Sequence, residues 1–445
     1  MRDIITMKSG GSSNATDTQV EKVIRIFKEN PKRGPLIPSA MGKDPNRPDS
    51  RKATDRLIEI ASGINVDGNI QSLLDDHIRL VRKLGLPPFV EALIHDTLTR
   101  DIRNRLGLPT HRDYIKTRGE SLMAAIYGSA LGVPVHSAEH TFFFREDGTC
   151  DAERTMAAIR HCVGSQHRCV IEGFSGVSPD GSVRAFPRGG SDTSGSWVAA
   201  SLGASLYENW TDTPGICTAD PRIVGNRGVP LRYVPQMTFP QLFEFAGRGA
   251  DVFQQDAVEP VRNAGIPIHV RNTNAPQELG TRIVPATSAM TGIPTIVGIG
   301  GERDFTVLKL ATPRMNDDPL FTSHLVQALV ANGVSLDHIM TGMNTMTVMI
   351  ANKHLTRVRR KLFAELREEH GTDVVEARSG FAVVCVVGTK LGKHPGKVGR
   401  LFIALEAARI ETPLFSQGAH GMSLVLGINE KRFEDAIIAL YDASA

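Results

Sequence analysis

Three short runs of this 445-residue chain combine glycine with a cation, a hydroxyl or a carboxylate: Lys8-Ser9-Gly10-Gly11-Ser12-Ser13, Ser39-Ala40-Met41-Gly42-Lys43 and Pro187-Arg188-Gly189-Gly190-Ser191-Asp192. Without a Cβ to hold them apart, the backbone N–H groups of such a turn converge on one point, and a helix beginning just beyond adds partial positive charge. The chemistry this suits is the binding of phosphate or carboxylate groups. Taken singly, each run is equally well explained as a tight turn that holds no ligand.

Other signatures narrow the choice. GxxxxGK[ST] does not occur, and Gly388 to Lys393 has the wrong spacing and runs into His394, so a P-loop is disfavoured. No GxGxxG follows a strand-like run, which disfavours a Rossmann dehydrogenase. His136-Ser137-Ala138-Glu139-His140 is not HExxH and reads as a surface turn rather than a metal pair.

Glycine turns of this kind need strands that lead into them. Ile4 to Met7 predicts a strand that ends beside Lys8, and Gly34 to Ser39 predicts a second. Between them Thr16 predicts the cap of a helix with Val20, Val23, Ile24 and Phe27 on one face. Cys169 to Phe174 and Leu206 to Thr211 predict strands around a helix that starts near Ser191. Strand-like runs that alternate with amphipathic helices up to about residue 285 predict an α/β domain, with a mostly parallel sheet covered on both faces.

Beyond that point the chain repeats itself. Pro319, Leu325, Leu329 and Val334 recur 76 positions later as Pro395, Leu401, Leu405 and Ile410. Each copy predicts a strand (Phe305 to Leu310; Phe381 to Val387) and a helix whose apolar face is Phe321, Leu325, Ala328 and Leu329, or Val398, Leu401, Phe402 and Leu405. Two strands follow (Val334 to Met340 and Thr345 to Ile350; Ile410 to Ser416 and Met422 to Ile428), then a second helix (Leu355 to Leu366; Phe433 to Tyr441). This βαββα order closes into a ferredoxin-like sandwich only if one more strand is supplied per copy. With a linker around Pro285 to Pro294, containing Thr287, Ser288, Thr291 and Gly292, the expected domains are 1–285, 295–376 and 377–445.

Composition bounds the function. A net charge of +3, from 51 basic and 48 acidic residues spread along the chain, provides no footprint for nucleic acid. The one basic run, Arg357 to Lys361, sits among Leu355, Val358, Leu362 and Leu366 and reads as the wet face of a helix. No run approaches the length of a membrane span, and Cys150, Cys162, Cys169, Cys217 and Cys385 form no CxxC pair, so a soluble protein of the reducing cytoplasm is expected.

In this order and spacing the segments resemble aspartokinases, over essentially the whole chain. The specific stretches are Gly173-Phe174-Ser175-Gly176, Arg188 through Ser194, Thr211-Asp212 and Thr218-Ala219-Asp220-Pro221-Arg222-Ile223. Thr117-Arg118-Gly119-Glu120 and Ile266 through Thr273, leading to Gly280-Thr281, add to them. The duplicated unit resembles the tandem ACT domains of that family, where an amino-acid product binds between domains and feeds back on catalysis. The resemblance implies an amino-acid-kinase three-layer sandwich followed by two ferredoxin-like ACT domains, and homodimers or higher oligomers formed through the latter. It implies ATP-dependent, Mg²⁺-assisted phosphorylation of the side-chain carboxylate of L-aspartate. Such a carboxylate is already ionised at pH 7, so the transfer needs positioning and charge neutralisation rather than a general base.

Carried over residue by residue, the resemblance gives Lys8 to the transferred phosphoryl group, with the Gly10 and Gly11 amides beside it. Glu120 would hold the substrate ammonium and Arg188 its α-carboxylate, with Ser39, Gly189, Gly190 and Ser191 completing the pocket. Asp192 would orient the phosphates and metal, while Ser12, Thr211, Asp212, Ile216, Arg222 and Asp251 would line the nucleotide.

Several positions depart from the family pattern. Ser9 and Ser12 stand for Phe and Thr, Lys43-Asp44-Pro45-Asn46 stands where a substrate-facing Thr is usual, and Cys217 replaces a Tyr. Asp251 stands for a lysine near the nucleotide phosphates. Leu320, Thr341 to Thr345 and Ala419-His420-Gly421 alter the effector loops. These changes keep two alternatives open: a paralogue acting on another amino or carboxylic acid, and a non-catalytic amino-acid sensor.

Overall fold

The computed structural model describes residues 2–187, 189–249, 253–286, 293–311, 315, 320–368, 374–418 and 421–444. The chain forms two compact units, Met1–Ile216 with Tyr233–Leu242 and Asp251–Gly292, and Cys217–Arg232 with Phe243–Ala250 and Ile293–Ala445. Thr287, Ser288, Thr291 and Gly292 of the expected linker lie outside the described residues.

The first unit is built on an eight-stranded sheet. Its strands are β1 (Arg2–Ser9), β2 (Arg33–Pro38), β3 (Val135–His136), β4 (Val170–Ile171), β7 (Ala204–Thr211), β8 (Gln236–Thr238), β9 (Ile268–Asn272) and β10 (Thr281–Val284); a separate hairpin pairs β5 (Ser175–Val177) with β6 (Val183–Ala185). The order is β3-β4-β2-β1-β7-β9-β10-β8, parallel throughout except where β10 runs against β9. All six residues of β2 are buried, as a strand covered on both faces requires. Successive side chains feed opposite cores. Leu36 and Val170 join Val20, Val23, Phe27, Leu57 and Tyr127 on one face, while Ile37 and Ile171 join Phe142, Ile159, Val198 and Leu202 on the other. That is a three-layer sandwich.

The helix at Asp17–Glu29 begins where the sequence predicts, with the Thr16 hydroxyl accepting from the Gln19 amide at 3.2 Å. The predicted strand at Cys169 to Phe174 is shorter, ending at Ile171. The chain leaves the sheet there, and Phe174 adopts a left-handed φ of 67° on the way into the β5–β6 hairpin. Between β2 and β3, residues 53–131 contribute helices and no strand.

Beneath β1 and β7 lies a buried charge cluster. Glu208 accepts from Arg33 at 2.7 and 3.2 Å, from Arg271 at 3.1 Å and from the Trp210 indole at 2.9 Å. Burial pushes the Glu208 carboxyl up, but the Arg33 guanidinium, Trp210 and Arg271 more than offset it, and the net shift is downward. Glu208→Ala leaves the buried Arg33 guanidinium and the half-buried one of Arg271 without their carboxylate, so an unfolding titration should show a loss of about 3–5 kcal/mol.

In the second unit six antiparallel strands run in the order β12-β13-β11-β14-β16-β15, where β11 is Ile296–Ala311, β12 His338–Thr341, β13 Thr345–Ala351, β14 Val374–Gly388, β15 Leu414–Gln417 and β16 Ser423–Asn429. The strand that each repeat lacks comes from the other repeat. β11 and β14 pair along nearly their whole length, broken near Asp304 (φ 71°) and Gly380 (φ 88°). On one side of the break Ile296 and Ile299 pack with Ala382, Val384, Leu401, Leu405 and Ile410; on the other, Val375 packs with Leu308, Leu310, Leu325, Leu329 and Val334. Repeat-related residues thus fill equivalent places in two cores, although Pro319 lies outside the described residues. A cut at 376 divides the chain but not these cores, and a cut near 285 strips the second unit of Ala219 and Val224, which lie in its core. The Arg357 to Lys361 run falls at the start of the helix Arg359–Glu368, with Arg357, Arg359, Arg360 and Lys361 exposed.

Candidate active site

Strand order in the first unit reverses at β1, which β2 flanks on one side and β7 on the other. In a parallel sheet the carboxyl ends of three such strands open on one edge, and ligands bind in the crevice there. β1 ends at Lys8-Ser9, β2 just before Ser39 and β7 at Thr211.

The two turns that follow β1 and β2 are fastened to each other. The Ser39 amide donates to the Ser9 carbonyl and the Gly42 amide to the Gly11 carbonyl, both at 3.0 Å. A Cβ on Gly42 would collide with that carbonyl, so this approach requires glycine. Buried Asn14 ties the pair from below, donating to the Ser39 carbonyl at 2.6 Å and accepting from the Tyr127 hydroxyl at 2.7 Å. Gly10 is held by its amide on the Trp210 carbonyl at 2.9 Å, and Ser12 begins a single turn, Ser12–Asn14.

The third turn delivers a helix. Gly189, at φ 83°, occupies the left-handed region as its N-cap, and Gly190, Ser191 and Asp192 form the first turn of Gly190–Leu202. Asp192 meets the Lys8 ammonium at 2.8 Å, with side chains only 23% and 10% exposed. Asn209 of β7 donates to the same Asp192 oxygen, Oδ1, at 2.8 Å. Arg188 lies outside the described residues.

Glu120 stands in the first turn of the helix Arg118–Leu131 and is buried. Its Oε1 accepts from the Ala40 amide at 3.1 Å, which links it to the β2 turn, whereas Oε2 is buried and makes no hydrogen bond. Burial pushes this carboxyl up to about 7; the Ala40 amide, the Arg118 guanidinium and the nearby Ser191 hydroxyl pull the other way without cancelling it. A buried acid with one unsatisfied oxygen is stabilised either by taking up a proton or by a cation brought against that oxygen.

Thr211 donates its hydroxyl to Asp212 at 3.1 Å, and its carbonyl accepts from the Thr273 amide at 2.8 Å. Ile216 is buried and anchored by its amide on the Thr281 hydroxyl at 2.8 Å. Arg222 belongs to the second unit, where it grips Asp220 at 2.7 Å. There the Thr218 carbonyl accepts from the Ile299 amide at 2.7 Å, and Arg232 stacks on Tyr441 at 3.9 Å. Asp251 lies outside the described residues. The structure therefore brings together Lys8, Gly10, Gly11, Ser39, Glu120 and the Gly189–Asp192 turn within one unit. Asn14, Tyr127 and Asn209 were missed in the sequence, since a lone Asn or Tyr carries no spacing signal.

Comparison with known proteins gives the same fold. Residues 3–272 match the model of the amino acid kinase family, and residues 384–443 that of an ACT domain. Aspartokinase 3 of Bacillus subtilis is 27% identical, over 98% of this chain and 97% of that one. The crystal structure of Clostridium acetobutylicum aspartate kinase superposes with a TM-score of 0.83 at 29% identity, covering all of both chains. Escherichia coli aspartokinase III in complex with aspartate and ADP shares the fold, with a TM-score of 0.76 at 20% identity over 99% of each chain.

Proposed function

Because the chain belongs to the amino acid kinase family, we propose that it transfers the γ-phosphoryl group of ATP to the side-chain carboxylate of L-aspartate, under feedback by an amino acid bound to its ACT domains. The observation that carries this reading is the convergence, at one sheet edge, of a cation–carboxylate pair with a buried lysine and a half-buried aspartate, two interlocked glycine turns and a buried acid with a free oxygen. Full-length relatives named aspartokinase support it.

Glu120 takes the substrate ammonium through Oε2. The turns at Gly10-Gly11 and Ser39-Ala40 set the distance between that anchor and the phosphates, which the Asn14 clamp keeps fixed. One oxygen of the substrate carboxylate bonds to the γ-phosphorus as the bond to the bridging oxygen of ADP breaks; no proton moves, since the attacking group is already ionised. Lys8 leaves Asp192 for the phosphoryl oxygens before the transfer, and its charge is worth most as the transition state forms. Mg²⁺ suits this set, because it needs only one or two protein carboxylates, here Asp192, and takes its remaining ligands from phosphate and water. Bound there with the nucleotide, it would neutralise further charge on the transferring group.

Trapping the acyl phosphate with hydroxylamine, over a panel of amino and carboxylic acids, tests this. Hydroxamate from aspartate alone is the expected result; from another acid, it would assign the chain to a different substrate. ATP or amino-acid binding with no hydroxamate would mean a sensor.

The reading extends to a cytoplasmic homodimer. Free cysteines, and the absence among the described residues of any helix able to cross a membrane, are compatible with that location. The sheet of the second unit ends in β12 and β15, whose outer N–H and C=O groups invite pairing across a two-fold axis, and Phe415 on β15 is 60% exposed. Light scattering at micromolar concentration should give twice the chain mass; a monomer would refute the dimer.

A further inference from the structure

We propose that Asn209 is a positioning residue for phosphoryl transfer: it shares the Asp192 carboxylate with Lys8 and holds it in place when Lys8 moves to the phosphate. This rests on the phosphotransfer reading above.

The register of the sheet puts Asn209 directly beside Lys8, since β1 and β7 pair Lys8 with Asn209, and Val270 of β9 occupies its other side. Side chains alternate along β7, so Tyr207 and Asn209 face the helix Gly190–Leu202, while Glu208 turns to the opposite face with Arg33 and Arg271. Tyr207 reinforces the contact through its hydroxyl on the Asp192 carbonyl at 3.3 Å. Among the described residues, the only charged groups in this group of contacts are therefore Lys8 and Asp192.

Asn209 is 7% exposed, and its amide and the Lys8 ammonium both sit 2.8 Å from Oδ1. Two donors on one oxygen divide its charge, so the ion pair is looser than it would be with Lys8 alone. That matters because Lys8 must leave Asp192 to reach the transferring group. When it does, a carboxylate on the first turn of a helix with no other protein donor would follow the departing ammonium or rotate into solvent. The Asn209 amide fixes Oδ1 through that exchange, at no cost in net charge. Because the Asn209 amide is neutral, Asp192 keeps its full charge for the metal ion and the phosphates, whereas an apolar residue at this place would release the carboxylate.

The test uses the full-length chain with Asn209→Ala and Asn209→Leu, the latter filling the buried volume should alanine leave a cavity. Loss of a hydrogen bond to a charged group should lower kcat about 10- to 100-fold, with the KM for aspartate changed less than about twofold, because Glu120 is untouched. The same substitutions made in an Asp192→Ala background should cause no further loss, since Asn209 acts only through that carboxylate. Thermal melting of each variant controls for the fold. Wild-type kcat in a folded Asn209→Leu protein overturns the inference, and so does a loss that adds fully to that of Asp192→Ala. A wild-type chain that forms no acyl phosphate overturns the phosphotransfer reading first, and this inference with it.

Discussion

Replacing Lys8 with methionine is expected to lower kcat by about 100- to 1,000-fold while the protein remains folded. Methionine keeps the unbranched apolar stem of lysine and removes the charged end. The ammonium is 2.8 Å from Asp192 in the resting protein, so it is already desolvated and aimed across the sheet edge. Charge held ready in a site shielded from water stabilises the transition state by about 3–4 kcal/mol per donor. Because the interaction strengthens as the phosphoryl group moves, the loss should fall on kcat more than on KM. Lys8→Met also leaves Asp192 with the Asn209 amide as its remaining partner, which the exposed edge of that carboxylate tolerates. Steady-state kinetics beside a melting curve checks this, and a folded variant with wild-type kcat would remove Lys8 from the chemistry.

The second large effect concerns Glu120 and pH. Its carboxyl titrates near 7 because burial disfavours the charge. Only the ionised form attracts the substrate ammonium, so the KM for aspartate should rise about tenfold between pH 8 and pH 6. Glu120→Gln should raise KM at pH 8 by about 100-fold or more and flatten the pH dependence. Stability should move in the opposite sense. An acid whose pKa is higher in the folded protein than in the unfolded chain favours folding below the unfolded value, near 4.5, and that contribution disappears as pH rises through about 7. Removing the charge should therefore raise the melting temperature of the ligand-free protein at pH 8, by an amount equivalent to at most about 3 kcal/mol, and change little at pH 4. A wild-type KM that is flat from pH 8 to pH 6 would show that Glu120 does not hold the substrate.

The departures from the family pattern are placed unevenly by the fold. Lys43 to Asn46 follow directly on the turn that supplies the Ala40 amide to Glu120, so the usual hydroxyl is missing from the substrate side of the site. Cys217 opens a segment packed on the C-terminal core, where burial pushes its thiol up. These are the positions at which the choice of acid substrate and the affinity for nucleotide would diverge from relatives.

What the sequence determined by itself was everything local or periodic. Short runs rich in apolar and β-branched residues gave the strands that end at Ser9, Pro38 and Thr211, because a strand covered on both faces is mostly apolar and tolerates a polar residue such as Glu208 or Asn209 only where the fold supplies a partner. Thr16 marked its helix, because a side-chain oxygen just before the first turn satisfies one of its free amides. The spacing of 76 residues exposed the duplicated unit, because equivalent core positions select equivalent side chains. Tertiary structure alone decided what pairing and register decide. Nothing in either repeat says that its missing strand comes from the other, since that pairing depends on β11 and β14 being long enough to serve two cores. Nothing near Asn209 says that it lies beside Lys8, 201 positions earlier in the chain, since a hydrogen-bonded register between parallel strands leaves no periodic trace. And Glu120 acquired one buried, unpartnered oxygen only when the fold took the other for the Ala40 amide.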